Sequence, residues 1–257
     1  CNRSVKFDHF INQAKKLNCD KVATGHYAKI IKNNGKYELH KADYLDKDQS
    51  YVLHMLKSSD LENITFPLGE ISKPDVRQIA ARIGLKTAFK KDSQDICFVG
   101  KKDYRSFVEK RIDLTSPGEI FDTEGNKVGD HNGIHEFTVG QRKGLPGGYG
   151  TPRYVTKINV QNKNVTIGEK KDLSVSSFIV EELSCVNDLE YKNLTIQTRY
   201  NSEDLPCEIK KLSDTKVLVQ LKEPAFGVAP GQFGVIYNGT KVVCGGRISP
   251  KVLENVG

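Results

Sequence analysis

The chain has 257 residues, a mass of 28.7 kDa and a mean hydropathy of -0.48, with 37% apolar and 28% charged residues. That is one large domain or two to three small ones, too apolar and too periodic for a wholly disordered polypeptide. Lys and Arg number 39 against 32 Asp and Glu, a formal charge of +7 with a pI near 8.9, which excludes an acidic protein and suits a polyanionic partner without requiring one. No apolar run approaches the roughly 20 residues that span a bilayer, so no membrane partner is expected. The chain opens on Cys1-Asn2-Arg3, with no Met and no charged lead into an apolar stretch. It is therefore expected to be the interior of a longer protein.

Residues 3–18 predict a helix, with Val5, Phe10, Ala14 and Leu17 at helical spacing and Phe7 and Ile11 nearby. Lys21 to Ala28 reads as a short buried strand that runs into Thr24-Gly25-His26. A helix followed by such a strand is a unit of an α/β fold, where binding groups gather at strand carboxyl ends. Residues 30–45 read as a strand pair around Asn33-Asn34-Gly35, a hairpin turn signal. The polar segment 45–50 feeds Tyr51 to Leu56, and 57–70, with Pro67 and Gly69, reads as loop. Ser72 followed by Pro74 predicts a capped helix through Val76, Ile79, Ala80 and Ile83, stopped at Gly84.

From Gly118 to Gly150 nine glycines fall in 33 residues, which argues against a long helix and for short strands and tight turns. Gly118 to Asp122 with Glu124-Gly125-Asn126 reads as a hairpin. From about Asp172, six short segments of β character separated by turn residues predict a small antiparallel barrel or sandwich. The order is α/β, then a small glycine-rich module, then all-β.

Six cysteines stand at 1, 19, 97, 185, 207 and 244, none in Cys-x-x-Cys spacing, and the histidines show no metal spacing, so no metal site is expected. Most of these cysteines read as small buried hydrophobes. Cys97 lies in SQDICFVG, between lysines that would favour its thiolate and two aspartates that would oppose it; both a reactive and a quiet thiol fit. Cys1, ahead of a helix, is open in the same way. His26 is either a site residue at a strand end or a satisfied structural histidine. Gly140-Gln141-Arg142-Lys143-Gly144, extended by Arg153 and Lys157, is either a phosphate-approaching loop or a solvated basic face. It lacks the Lys-Ser/Thr ending of a nucleotide P-loop. Arg199-Tyr200 pairs a guanidinium with an aromatic ring, which suits a backbone contact plus stacking on a base.

Taken together, Cys1-Asn2 with Lys6-Phe7, ATGHY at 23–27, KDQSY at 47–51, SQDICFVG at 93–100, HEFTVGQRKGL at 135–145 and APGQ at 229–232 resemble the tRNA-specific 2-thiouridylase family of bacteria and mitochondria. The resemblance implies an α/β fold, the remainder of an adenine nucleotide alpha hydrolase-like PP-loop domain over 1–100. A small mixed central tRNA-binding domain over 101–171 and a C-terminal antiparallel β-barrel over 172–257 would follow. It implies ATP-dependent, Mg-assisted transfer of persulfide sulfur to C2 of the wobble uridine of tRNA. Cys97 would carry the persulfide and Cys1 would be the nucleophile that leaves a transient Cys1–Cys97 disulfide. Gly25 would contact ATP; Lys47, Asp48, Gln49, Arg199 and Tyr200 would contact tRNA, with Gln141, Arg142 and Lys143 as a further RNA-facing surface. The implied partners are tRNA and a protein sulfur donor, acting on a monomer in the cytoplasm or, for the organellar relatives, in mitochondria.

The 257 residues depart from the family in holding neither an SGGVDSS-type phosphate loop nor an Asn-Pro-Asp-type stretch; both would precede Cys1. The chain by itself is accordingly expected to be inactive. Two alternatives stay open: a non-catalytic tRNA-binding fragment, and another PP-loop sulfurtransferase such as a 4-thiouridine or 2-thiocytidine enzyme.

Overall fold

Residues in the left-handed region set the first element boundaries. A computed structural model describes residues 7–90, 116–185 and 192–250, with only the backbone of 185. Helix α1 (His9–Lys16) ends where Asn18 takes φ 56°, so that the Cys19 N–H reaches the Ala14 carbonyl and the Asn18 N–H that of Lys15. Strand β1 (Val22–Ala23) follows, then β2 (Lys29–Asn33) and β3 (Lys36–His40), joined by a two-residue turn in which Asn34 and Gly35 both have positive φ. That is the hairpin the Asn-Asn-Gly signal predicts, with a twist that matches the strands it joins. Helices α2 (Ser50–Leu53) and α3 (Ser58–Leu61), strand β4 (Ile64–Thr65) and helix α4 (Lys73–Arg82) complete the first ninety residues. The Ser72 hydroxyl accepts the Asp75 N–H at the start of α4. Gly84 (φ +76) closes it, its own N–H on the Ala81 carbonyl and that of Leu85 on Ala80, as expected.

Three expectations need correction. Residues 57–70 are not a loop: they hold α3 and β4, and β4 is the parallel partner of β1, Val22 opposite Ile64. Pro67 and Gly69 lie just beyond β4 and mask a strand too short to show alternation. The predicted strand over 21–28 is only two residues long. Around α1 the buried stripe is Phe7, just ahead of the helix, and Ile11, with Ala14 beside them, whereas Phe10 and the C-cap residue Leu17 are exposed. The i, i+4 pair packs toward Val22. Residues 3–6 lie outside the described residues.

Two compact units divide the chain: Cys1–Lys90 with Ser176–Glu223 and Gly231–Gly257, and Lys91–Val175 with Pro224–Pro230. In the second, β5 (Gly118–Phe121), β6 (Lys127–His131), β7 (Tyr154–Asn159) and β8 (Asn164–Gly168) form a four-stranded sheet in the order β6-β5-β8-β7. β5 and β6 are the predicted hairpin. The Asp122 carboxylate accepts the Asn126 side-chain amide and the Asn126 and Glu124 backbone N–H groups across the turn, and these bonds hold it below the usual carboxylate range. The core of this unit is Ile120, Ile134, Phe137, Val155, Val165 and Ile167.

The first unit carries β9 (Ser174–Cys185), β10 (Leu194–Gln197), β11 (Leu205–Ser213), β12 (Lys216–Phe226), β13 (Phe233–Asn238) and β14 (Lys241–Ile248). These are the six segments read from the sequence. Their order is β13-β10-β11-β12-β9-β14, and antiparallel pairing of β13 with β14 closes the ring into a barrel. β3 and β2 extend the same sheet from β14. Along β12, Val217, Val219 and Leu221 are buried on the inner face at period two. β13 is buried on both faces. Val235 and Tyr237, with Val242 of β14, join Phe7, Ala28, Leu39, Tyr51, Leu53 and Leu56 in one core. The barrel wall is thus also the floor under the N-terminal elements.

A glycine makes this contact possible. A Cβ on Gly245 would lie 2.5 Å from the His54 ring, which is 2% exposed and 4.8 Å from the Phe233 ring. His54 Nδ1–H donates to the Tyr51 carbonyl at 2.7 Å. Burial holds the imidazole below its ordinary 6.5 against the opposing pull of that bond. The unfolded chain takes up this proton near pH 6.5 and the folded chain only at lower pH. The stability contribution is therefore complete above about pH 6.5 and is lost as pH falls toward the depressed folded value. The urea midpoint is expected to fall between about pH 7 and pH 5, and to fall less steeply in His54→Asn, which keeps a donor for Tyr51. An unchanged slope would assign the acid sensitivity to another group.

Candidate functional site

The site in the first unit begins with one carboxylate that turns the chain. Leu45–Lys47 form a single 3-10 turn, and Asp48 behind it is 7% exposed. Its Oδ1 accepts the Ala42 N–H at 2.8 Å and the Ser50 N–H at 3.3 Å, and its Oδ2 accepts the Ser50 hydroxyl at 2.6 Å. Burial pushes this carboxyl above the usual carboxylate range, while the Ser50 hydroxyl, the two N–H groups and the Lys41 ammonium pull it back. Gln49 is bound at both ends. Its Oε1 accepts the Tyr27 N–H at 3.0 Å and its N–H donates to the Tyr27 carbonyl at 2.7 Å. Asp48 and Gln49 therefore fix the shape of the segment from within; Lys47 and Gln49 are half-exposed and Asp48 is buried.

A second loop faces this segment. Thr198 ends the run from β10, and the Ser202 N–H then donates to the Arg199 carbonyl while Asn201 takes φ 56°. Arg199 and Tyr200 are exposed at the turn. The Tyr200 ring lies 6.2 Å from that of Tyr51, whose hydroxyl donates to the Phe233 carbonyl at 2.8 Å. Burial raises the Tyr51 phenol to about 12. The Tyr200 phenol is also raised, by burial and then by the Asp48 charge, with Lys47 opposing. Between the two segments lies a cleft of about 440 Å³ lined by Lys41, Asp46, Tyr51, Gln197, Tyr200 and Asn201, among others.

An ion pair closes its base. Lys41 Nζ donates to both oxygens of Asp204, at 2.7 and 2.6 Å, and sits 4.2 Å over the Tyr237 ring. Gln197 Nε2 donates to the same carboxylate at 2.9 Å. The Ser202 hydroxyl, at the cleft wall, is buried without a hydrogen-bond partner among the described residues. Sequence reasoning missed Lys41, Gln197 and Asp204, because a pair 163 residues apart leaves no local pattern.

The remaining candidates are placed as follows. Gly25 follows β1 at its carboxyl end, and a Cβ there would meet only Leu68 Cδ1, at 3.7 Å. His26 is half-buried between Phe7 and Phe66, with Nδ1 2.8 Å from the Thr24 hydroxyl, an arrangement that favours the structural reading. In the second unit Gln141 braces its own loop. Its Oε1 accepts the Thr138 N–H at 3.0 Å and its Nε2 donates to the Lys143 carbonyl at 2.9 Å. Arg142 and Lys143 are exposed. Cys1 and Cys97 lie outside the described residues. Among the described residues no group of three His, Cys, Asp or Glu could hold a metal, and no helix is long and apolar enough to cross a membrane.

Three family models match in order: "tRNA methyl transferase HUP domain" over residues 1–101, "tRNA methyl transferase PRC-barrel domain" over 105–169 and "Aminomethyltransferase beta-barrel domain" over 175–248. The tRNA-specific 2-thiouridylase MnmA of Chloroflexus aggregans is 41% identical over 256 residues, 97% of this chain and 71% of that protein. The chain belongs to the tRNA-specific 2-thiouridylase family. Proteins of the same name from Lachnoclostridium phytofermentans and Rickettsia prowazekii are 40% and 39% identical, over 96% and 98% of this chain and 71% and 72% of theirs. Membership accords with the α/β portion, the small mixed module and the antiparallel barrel described above.

The cleft's base is testable in this family member without any substrate. Asp204→Ala leaves the Lys41 ammonium, 7% exposed, against the Tyr237 ring with no directly bonded carboxylate among the described residues. It is expected to cost about 1–3 kcal/mol in urea unfolding, less than for a fully buried pair because Asp204 is half-exposed. The double variant Lys41→Met, Asp204→Leu should recover part of that loss. Equal losses in single and double variants would show that the pair itself is not what holds the two segments together.

Proposed function

We propose that this chain bears the sulfur-carrying thiols and the tRNA-facing surfaces of an enzyme that converts the wobble uridine of tRNA to 2-thiouridine. The observation that supports the reading is that Asp48 and Tyr200, one from each of the two segments, line one cleft, although some 150 residues separate them. An exposed guanidinium beside an exposed aromatic face suits an RNA backbone and an unstacked base. Lys47 supplies the charge of the first segment, while Asp48 and Gln49 set its shape. The matched models carry methyl transferase in their descriptions, whereas the relatives are named 2-thiouridylases. The pairing of Cys1 with Cys97 in family-like motifs favours sulfur transfer.

ATP, a consumed co-substrate, supplies the adenylyl group that turns the uridine C2 oxygen into a leaving group. Gly25, beside which a Cβ would meet only Leu68 among the described residues, fits the adenine side; the phosphate-binding loop has no counterpart in the 257 residues. The terminal sulfur of a Cys97 persulfide then replaces that oxygen and AMP leaves. The Cys1 thiolate takes the Cys97 Sγ, giving a Cys1–Cys97 disulfide that a two-electron thiol reductant resets. A protein donor reloads the persulfide. A reducing cytoplasm and action as a monomer suit this cycle, with the domain limits at 100/101 and 171/172.

The test is nucleoside analysis of tRNA treated with the gene product that contains this chain. Cys97→Ser and Cys1→Ser are each expected to lower 2-thiouridine formation by about 100-fold or more while tRNA binding persists. Tyr200→Ala should weaken tRNA binding by about tenfold. Full activity in either cysteine variant would remove the two-thiol mechanism, and tRNA binding without any thiolation by the parent would reduce the chain to a binder.

A further inference from the structure

Two cysteines meet in the barrel wall, apart from the thiols of the sulfur-transfer cycle. Cys185 is the last residue of β9, and Cys244 stands directly opposite it in β14. From this rung the ladder runs through Ser184 opposite Gly245 to Glu181 opposite Arg247 and Val180 opposite Ile248. Directly opposite residues of an antiparallel pair share one face of the sheet, with Cα atoms about 4.5–5.5 Å apart. A disulfide spans about 4.4–6.8 Å between Cα atoms, so this rung can be bridged without moving the backbone.

The face is the inner one. Gly245, next to Cys244, meets the His54 ring on the side of the N-terminal elements, and successive residues of a strand alternate. Cys244 therefore takes the inner face, fully buried, with Ile236 of β13 as its other neighbour. The rung also marks a change of partner. At Lys241 the same edge of β14 pairs with His40 of β3, and the Lys41 N–H donates to the Thr240 carbonyl just beyond. On the other side, the Ser184 hydroxyl donates to the Met55 carbonyl at 3.3 Å. Cys185–Cys244 is thus the last described rung before β9 gives way to the hairpin strand β3. Ladder ends open more readily than ladder centres, which gives a buried pair a route to a reagent. Cys207 has no such neighbour: it stands opposite Leu194 and Leu221, and burial, with the Glu208 charge, pushes its thiol up to about 12. A thiol so placed stays protonated and inert. Cys19 is exposed in the turn after α1.

We propose that Cys185 and Cys244 form a dithiol modification site whose reagent is a small organic disulfide of the oxidised glutathione type. One thiolate of the pair attacks the small disulfide RSSR, forming a protein–S–S–R bond and releasing RS⁻. The second thiolate then attacks the protein sulfur of that bond, forms the Cys185–Cys244 bond and releases the second RS⁻. The two protein sulfurs together lose two electrons, the small disulfide is reduced to two thiols, and the protons lost by the protein thiols end on RS⁻. The bond ties β9 to β14 beside the β2–β3 hairpin and closes a loop of about 60 residues, which restricts the unfolded chain. A thiol reductant reverses it. The proposal does not depend on the tRNA reading.

The test is peptide mapping of the native full chain after incubation with oxidised glutathione and an acid quench. Trypsin places each cysteine in a different peptide, Cys185 in 172–192 and Cys244 in 242–247. The expected product is these two peptides joined and lighter by two hydrogens, absent after thiol reduction. The thermal midpoint of the oxidised chain should rise by about 5 °C or more. Cys207→Ala is expected to keep both the link and the rise, and Cys185→Ala to lose both. A parent chain in which Cys19 carries glutathione while Cys185 and Cys244 stay unlinked would overturn the site. So would a link that forms only in the urea-unfolded chain. Both outcomes are read on the parent, so poor folding of a variant does not blunt the test.

Discussion

The first unit depends on the placement of one side chain, Tyr237. It is fully buried in β13, and its ring packs in the core shared by the barrel and the N-terminal elements. Its hydroxyl is 3.2 Å from that of Ser50 and its face carries the Lys41 ammonium. Burial pushes its phenol up, so the group stays neutral. This residue supports both the turn that holds Lys47 and the loop that holds Arg199, beside the Lys41–Asp204 pair and the Tyr51–Tyr200 contact. Satisfying a buried hydroxyl and a buried ammonium on one ring requires the two segments to meet in one way.

This dependence explains why the first unit cannot be divided at a sequence boundary. β2 and β3 belong to the same sheet as the barrel, and Val235, Tyr237 and Val242 face out of the barrel into apolar company. A strand buried on both faces reads as a continuous apolar run, as Gly234 to Tyr237 does. The glycines of β14 serve the same end: Gly245 admits the His54 ring where a side chain would hold it away.

What could be read from the sequence was local. The Asn34-Gly35 turn, the Ser72 cap and the Gly84 stop are each decided by two or three neighbouring residues, and all are found as expected. The six β segments were legible because half-buried barrel strands alternate. β4 was not, since two residues beside a proline carry no period. The α1 face was misassigned because Phe7, Phe10, Ile11 and Leu17 allow two stripes, and only the position of Val22 decides between them. At the site, motif resemblance picked out Lys47-Asp48-Gln49 and Arg199-Tyr200, yet not that Asp48 and Gln49 bond inward. The Lys41–Asp204 pair arises from tertiary packing alone.

Closure of the barrel has a further effect. A ring of strands has no free edge, so among the described strands this sheet ends at β2, the last in its order. β2 is five residues long and carries Lys29 and Lys32 around its two isoleucines. Short, lysine-bearing edges resist the addition of another strand. Among the described residues, the eight-stranded sheet is thereby shielded at its β2 edge from self-assembly into fibrils.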